Sequence, residues 1–475
     1  MNAAAIVALN GVFVLVGVAL LHGLRGYDSA REALRLLGVS YMLGVGATVV
    51  ALAILLAFGV PFGGWTIGVV ALSLSAFGAL LPRFRRRQPP ADEPLAREPI
   101  RFVGAAAAGL SLGYLALLLD LAPRLGMAEA DAWTFWTPKA QAIWYYGRLH
   151  EPTFTSLPGA SYPLFVPVIE AIDFAGMGEA DAMTIHLQFA LLLGGFVWAL
   201  SGLLRPYVPR AFLWPVILLM LIAPELNHRA LTALADFPLD YFFALSAVCL
   251  GRWIETRQTW LLVLGASFLG VAMSVKREGQ LLAVALVLGC LVASWKSKGW
   301  AYPRLLLAVG LAALTTVPWR VWWMSHGLSG EAPATSPSDW LDSLSRVWPS
   351  LELLVGRLLS WNLWYLVFPL AVAAAGLVVV LVPARRATAT LYLTTCALVT
   401  ASFTWVFVAE PELPTTVRGD QPAPRAMASL AFLSVAFLPL LLGRLGSEPA
   451  RSAAGQPLPC SGQPVEAGAA PVDPK

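Results

Sequence analysis

The stretch that decides the fold class is "AAAIVALNGVFVLVGVALLHG" at residues 3–23, which contains no Asp, Glu, Lys or Arg. About 20 apolar residues in a helix span the hydrocarbon core of a bilayer. Similar runs recur along the chain, so we predict thirteen transmembrane helices. They cover roughly residues 3–23, 36–58, 64–82, 102–122, 185–204, 211–224, 237–254, 259–275, 280–295, 304–319, 358–382, 387–408 and 426–442.

The composition supports the same class. The 475-residue chain is 58% hydrophobic and 13% charged, whereas soluble domains carry about 25% charged residues. We therefore expect an all-α, polytopic membrane protein that contacts lipid and binds no nucleic acid. Three of its four cysteines lie inside apolar runs, and none has a CxxC or Cys/His spacing. This arrangement disfavours a disulfide framework or a structural zinc site.

Basic residues predict the orientation. Most of the 32 Lys and Arg residues fall in alternate connecting loops, and cytoplasmic loops are enriched in such residues. We expect a multi-pass plasma-membrane protein with the N-terminus outside and the C-terminus cytoplasmic. The loops expected outside are residues 123–184, 225–236, 276–279, 320–357 and 409–425.

Two polar segments predict the domain organisation. The basic, proline-rich "RFRRRQPPADEPLAREP" (83–99) ends an N-terminal three-helix segment, residues 1–101. A membrane core is expected over residues 102–442. The remaining residues, 443–475, are rich in Pro, Ala, Gly and Ser and predict a disordered cytoplasmic tail.

The first outer loop contains "DAWTFWTPKAQAIWYYG" (131–147) and "SYPLFVP" (161–167). Trp133 and Trp136 fit an interfacial helix, and an aromatic belt at the membrane surface is the simplest interpretation. That interpretation does not account for Asp131 and Lys139 in the same segment, nor for the extended path that two prolines impose beside Tyr162.

Carboxylates also occur in "HRALTALADFPLDYF" (228–242). Asp236 precedes an apolar run, where it could simply stabilise a helix N-terminus. Asp240 lies one turn inside that run, and a carboxylate there costs about 2.5–3.5 kcal/mol on insertion scales. It should therefore face a partner or a polar cavity.

Two further loops carry cations on the predicted outer side. The very short "VKREGQ" (275–280) places Lys276 and Arg277 where basic residues are disfavoured, next to Glu278. Long side chains at an interface are one explanation, and a site for a lipid phosphate is the other. The later "PELPTTVRGDQPAPR" (411–425) adds Arg418 and Arg425, whose planar guanidinium groups suit phosphate.

The order of these motifs over about residues 102–442 resembles the GT-C fold glycosyltransferases. That family includes protein mannosyltransferases, lipid A aminoarabinose transferase and mycobacterial arabinofuranosyltransferases, which use polyprenyl-phosphate-linked sugars. The sequence departs from many members because Glu129 and Asp131 are separated by an alanine, where those members have a paired acidic motif. We also predict no large soluble C-terminal domain of the kind that some members use to bind acceptors.

The resemblance implies a GT-C-like core with a large extracytoplasmic first loop. It implies transfer of a sugar from a polyprenyl-phosphate donor to a glycan, lipid or protein acceptor. It assigns catalysis to Asp131 and Asp236, with Asp131 a base or a ligand of Mg²⁺ or Mn²⁺. The other assignments are donor-phosphate binding by Lys276, Arg277 and Arg418, and supporting roles for Glu278, Lys139, Trp133, Trp136, Tyr162 and Asp240.

Other functions stay open from the residues alone. A lipid-linked glycan polymerase, ligase or flippase would use a similar donor. Secondary transporters often contain inverted repeats with broken helices, and no internal repeat is evident in this chain. A non-catalytic assembly protein is the remaining alternative.

Overall fold

The computed structural model describes residues 2–81, 100–328, 344–409 and 422–446, and in these residues the regular structure is entirely helical. The predicted apolar runs are helical over most of their length, so the predicted helical class is confirmed. Among the described residues, eight helical segments are long and apolar enough to cross a membrane. They are Asn2–Leu24, Leu37–Ala57, Arg101–Arg124, His186–Leu204, Asp236–Thr256, Trp295–Ser325, Arg386–Ala409 and Pro422–Gly446.

Five further apolar helices are shorter, with 10–17 residues: Gly64–Leu80, Arg210–Leu221, Thr259–Val275, Glu278–Ala293 and Val367–Leu381. The predicted run at 358–382 is broken, because Tyr365 has a backbone φ of 54° and separates a short helix from the longer one. The chain is thus a membrane-embedded helical protein, and thirteen crossings stay a prediction.

The α-helices of the described residues are numbered in chain order. They are α1 (Asn2–Leu24), α2 (Ala30–Arg35), α3 (Leu37–Ala57), α4 (Gly64–Leu80), α5 (Arg101–Leu121), α6 (Thr137–Tyr146), α7 (Glu151–Ser156), α8 (Phe165–Met177), α9 (His186–Leu204), α10 (Arg210–Leu221), α11 (Pro224–Arg229), α12 (Asp236–Thr256), α13 (Thr259–Val275), α14 (Glu278–Ala293), α15 (Lys298–Ala313), α16 (Val317–Ser325), α17 (Val347–Leu358), α18 (Trp361–Trp364), α19 (Val367–Leu381), α20 (Arg386–Ala409) and α21 (Pro422–Gly446).

Burial separates central from peripheral helices. The most apolar part of α12 is 89% buried and that of α21 is 83% buried, whereas Trp295–Ser325 is only 11% buried. Apolar side chains exposed on the peripheral helices suit contact with lipid rather than with water. The two central helices therefore form the framework on which the candidate site is built.

The first helices pack closely into this bundle. A Cβ atom on Gly17 would overlap the carbonyl oxygen of Ser40, and one on Gly44 would overlap that of Phe13. Small residues let helix backbones approach in this way. α3 in turn packs against α9, so the predicted N-terminal segment contacts the predicted core. The linker at 83–99 and the tail from residue 447 lie outside the described residues.

Residues 165–177, which lie within the predicted outer loop 123–184, form α8, and this helix packs into the bundle. Ten of its 13 residues are buried, and it packs mainly against α6, α1 and α3. The physical reason is its composition, because "FVPVIEAIDFAGM" offers apolar side chains around most of the helix.

Two ionic clusters mark opposite ends of the bundle. Arg425 near the start of α21 contacts Asp236 at the start of α12. Arg444 near the end of α21 contacts Glu255 near the end of α12. The two central helices therefore run parallel. Asp131, Asp236, Lys276 and Arg425, from four of the predicted outer loops, meet at the first end. Which end faces the cell exterior stays a prediction.

Candidate functional site

Arg425 is the centre of the first ionic cluster. Its Nη2 atom donates to Asp131 Oδ2 at 2.6 Å and to Asp236 Oδ2 at 2.8 Å, and its Nε atom reaches Asp236 Oδ2 at 3.2 Å. Asp131 and Arg425 are 294 residues apart in the sequence. One guanidinium therefore joins the first outer loop to the two central helices.

Lys276 extends the cluster. Its Nζ atom donates to Asp236 Oδ1 at 2.9 Å and lies 3.2 Å from Glu278 Oε1. Burial would lower the pKa of Lys276, but the carboxylates of Asp236 and Glu278 outweigh burial and raise it above its usual range. The ammonium group therefore stays charged at any physiological pH. We call Asp131, Asp236, Lys276, Glu278 and Arg425 the ionic network.

The two aspartates differ within the ionic network. The Asp236 side chain is 8% exposed and both of its oxygens accept bonds from cations. The Asp131 side chain is 32% exposed, and its bond to Arg425 uses only one oxygen, Oδ2. Asp131 thus has the access that a reacting group needs, whereas the contacts of Asp236 suit a residue that positions Arg425 and Lys276.

A π-helical turn lies directly after Asp131. It spans Ala132–Trp136 and continues into α6. π-helical turns are rare and occur often at functional sites. The turn buries Phe135 and Trp136 and leaves Trp133 57% exposed. The predicted interfacial role therefore fits Trp133, whereas Trp136 belongs to the protein core.

Tyr162 connects the aromatic residues to the cations. Its ring stacks on Phe135 with a centroid separation of 5.8 Å and lies 5.4 Å from the Trp136 ring. The Arg277 guanidinium carbon lies 4.7 Å from the Tyr162 centroid. Burial raises the pKa of Tyr162, and the negative charge of Glu278 raises it further. Tyr162 thus places a neutral aromatic ring between Arg277 and the π-helical turn.

A cavity of about 220 Å³ lies beside Tyr162 and is lined by its chain neighbours Ser161 and Pro163. Arg277 and Arg320 contribute its cations, and Arg320 donates to the side chain of Gln280 at 2.6 Å. Trp319 and Trp323 add aromatic surface. A cavity with two guanidinium groups and tryptophan faces suits an anion attached to an apolar or sugar group.

Two predicted residues lie beside the ionic network rather than in it. Asp240 is buried one turn below Asp236 and accepts a hydrogen bond from Ser429. Lys139 is 1% exposed and donates to the carbonyl oxygen of Gly159 at 2.5 Å. Both fit structural roles better than contact with a substrate. Arg418 lies outside the described residues, so its predicted phosphate contact stays a prediction.

The ionic network leaves few carboxylate oxygens for a divalent cation. A bridging metal would need free carboxylate oxygens, but both Asp236 oxygens and one Asp131 oxygen accept bonds from Arg425 or Lys276. Within the described part of the chain, no three His, Cys, Asp or Glu side chains are grouped closely enough to hold a metal. The predicted Mg²⁺ or Mn²⁺ requirement therefore stays a prediction, and no step below depends on it.

Sequence reasoning missed several of these features. The sequence suits Arg425 to phosphate but indicates no carboxylate partner for it, although an arginine four residues into an apolar helix requires a partner. Arg320 gave no signal, because it lies among tryptophans that resemble an ordinary interfacial segment. Glu170 and Asp173 on α8 lie in the predicted outer loop 123–184, for which the sequence indicated no buried helix.

No protein-family model, no curated protein and no solved structure matches this chain. The similarity to GT-C enzymes therefore depends on the motifs of the sequence alone.

Proposed function

We propose that the chain is an integral membrane glycosyltransferase that moves a sugar from a polyprenyl-phosphate donor to an extracytoplasmic acceptor. The observation that carries the proposal is the convergence of Asp131, Asp236, Lys276 and Glu278 around Arg425, beside a cavity lined by Arg277. These residues come from four separate parts of the sequence. The proposed chemistry needs a carboxylate as base and cations for the phosphate at one place.

In the proposed reaction an acceptor hydroxyl attacks the anomeric carbon of the donor sugar. A new bond forms between that carbon and the acceptor oxygen, while the bond to the phosphate oxygen breaks. Asp131 accepts the hydroxyl proton, and general-base catalysis of this kind typically contributes about 10²–10⁴-fold. The polyprenyl phosphate leaves with the bonding electrons.

The leaving phosphate needs cations that line the space it occupies. Lys276 and Arg425 face carboxylates within the ionic network. Arg277 and Arg320 both line the cavity. We therefore assign the donor phosphate to the cavity and its two arginines, since charge-assisted bonds to guanidinium are strong and directional.

A transfer assay tests the proposal. The purified protein, reconstituted in lipid vesicles, is incubated with radiolabelled polyprenyl-phosphate sugars and a mixture of glycan, lipid and peptide acceptors, with and without a chelator. Transfer of label from at least one donor is expected. Asp131→Asn should reduce the initial rate by about 10² or more at matched amounts of folded protein, because it keeps the shape and removes the base.

Asp240→Asn is the control, because its carboxylate is buried against Ser429. It should lower thermal stability more than turnover. Absence of transfer from every donor by active-site-intact protein would refute the function, and near-normal turnover by Asp131→Asn would refute the assigned base.

A further inference from the structure

A pair of carboxyl groups is buried in the bundle away from the ionic network. Glu170 and Asp173 lie three residues apart on α8, so they share one face of that helix. Both are 0% exposed. All four carboxylate oxygens are buried without a hydrogen-bond partner among the described residues. This arrangement is unusual, since buried charges in proteins are normally paired.

No cation neutralises the pair within the described residues. α6 packs against α8 and carries the buried Lys139, which donates to Gly159. The other helices packed against α8 supply no substitute. α1 has His22, which stacks on Tyr27, while α4 and α13 contain no titratable side chain. α6 also carries Tyr145 and Tyr146, whose side chains are exposed.

The polar neighbours also fail to neutralise the pair. The Thr137 hydroxyl is buried near Glu170 without a geometrically good hydrogen bond. Tyr41 of α3 lies near Asp173 but donates its hydroxyl hydrogen to Asn10 at 2.6 Å. An ionised carboxylate in these surroundings would lose its hydration without gaining a donor. Protons are therefore the simplest way to neutralise both groups.

The electrostatics agree with this conclusion. Burial raises the pKa of Glu170 to about 8. Burial likewise raises the pKa of Asp173 well above its usual range, and the neighbouring Glu170 raises it further. Both shifts favour the protonated form of the side chain to a higher pH than is usual for a carboxyl group.

We propose that Glu170 and Asp173 form a proton-binding site whose protons neutralise the buried pair and keep α8 docked in the bundle. α8 begins at Phe165, three residues after Tyr162. Loss of the protons would favour expulsion of α8 and would move Tyr162 away from Arg277. Protonation of Glu170 and Asp173 thus controls the position of Tyr162 relative to Arg277, beside the ionic network. The site itself does not depend on the proposed transfer activity.

Infrared spectroscopy tests the proton occupancy directly. At neutral pH the exposed carboxyl groups of the chain are ionised, so the C=O stretch of a protonated carboxyl group reports buried acids. We expect this band in the reconstituted wild-type protein. Part of it should disappear in Glu170→Gln and another part in Asp173→Asn. The control Glu151→Gln, at an exposed position, should leave the band unchanged.

Two infrared or analytical results would overturn the proposal. One is a wild-type protonated-carboxyl band that neither substitution alters. The other is a stoichiometric metal ion in the purified protein, found by elemental analysis, that both substitutions remove. The second result would show that the pair holds a metal instead of protons.

The pH dependence of stability gives an independent measurement. The folded protein keeps protons that the unfolded chain releases above a pKa of about 4.5. Raising the pH therefore favours the unfolded state, and the stabilisation that protonation provides is lost between about 4.5 and about 8 for Glu170. Each such proton makes the unfolding equilibrium constant up to about tenfold larger per pH unit.

The variant Glu170→Gln/Asp173→Asn should lose this dependence and should be more stable than wild type at alkaline pH. Thermal unfolding of both proteins across the pH range measures the difference. Equal pH dependence of the two proteins would contradict the proposal. If the double variant fails to fold, the two single variants provide the same comparison.

Discussion

Replacement of Arg425 is the sharpest test of how the ionic network is held together. Arg425→Ala removes one guanidinium that binds two carboxylates, and the two carboxylates should respond differently. Asp236 is 8% exposed and Asp131 is 32% exposed. Breaking a buried pair by removing one partner costs about 3–5 kcal/mol, whereas exposed pairs contribute about 0–1 kcal/mol.

Lys276 limits the loss, because it still neutralises part of Asp236 at 2.9 Å. We therefore expect Arg425→Ala to lower the free energy of unfolding by about 3 kcal/mol, the lower end of the range for a buried pair. Nearly all of that loss should come from Asp236. The second substitution Asp236→Asn should recover much of the stability, while Asp131→Asn should recover little.

Chemical unfolding of the detergent-solubilised protein, followed by tryptophan fluorescence, measures these differences. The set comprises wild type, Arg425→Ala, and Arg425→Ala combined with either Asp236→Asn or Asp131→Asn. Arg425→Lys is the conservative variant, and it should be intermediate because an ammonium group cannot present two donors in one plane. Equal recovery by both aspartate substitutions would refute the difference in burial on which the reasoning depends.

Two further predictions concern packing and topology. Gly44→Leu should lower the free energy of unfolding by about 3 kcal/mol or more, since its side chain would overlap the α1 backbone at Phe13; Gly68→Leu, where a Cβ meets nothing within 4 Å, should change it little. For topology, a membrane-impermeant maleimide should label Ser156→Cys in intact cells and Lys296→Cys only after permeabilisation, because the first lies in a predicted outer loop and the second in a predicted inner one. Thermal or chemical unfolding measures the effects of Gly44→Leu and Gly68→Leu. Labelling of Lys296→Cys but not of Ser156→Cys in intact cells would contradict the predicted orientation.

The sequence alone determined the helical class and the position of most helices. Apolar runs are local features, and a lipid environment requires the backbone of each run to satisfy its own hydrogen bonds. The same local signal did not predict the helix at 165–177, whose 13 residues include Glu170 and Asp173. It also failed at Tyr365, whose backbone break gives no signal in hydrophobicity.

The sequence also indicated which loops carry the chemistry, because a charge beside or inside an apolar run is costly and needs a reason. Asp131, Asp236 and Lys276 were recognised in this way. Only the tertiary structure decided that Arg425 joins the two aspartates and that Asp236, rather than Asp131, is buried between cations. The pairing of charges depends on which helices become neighbours. That choice follows from close contacts such as Gly17 against Ser40 and from side-chain packing across the whole bundle, which no short stretch of sequence contains.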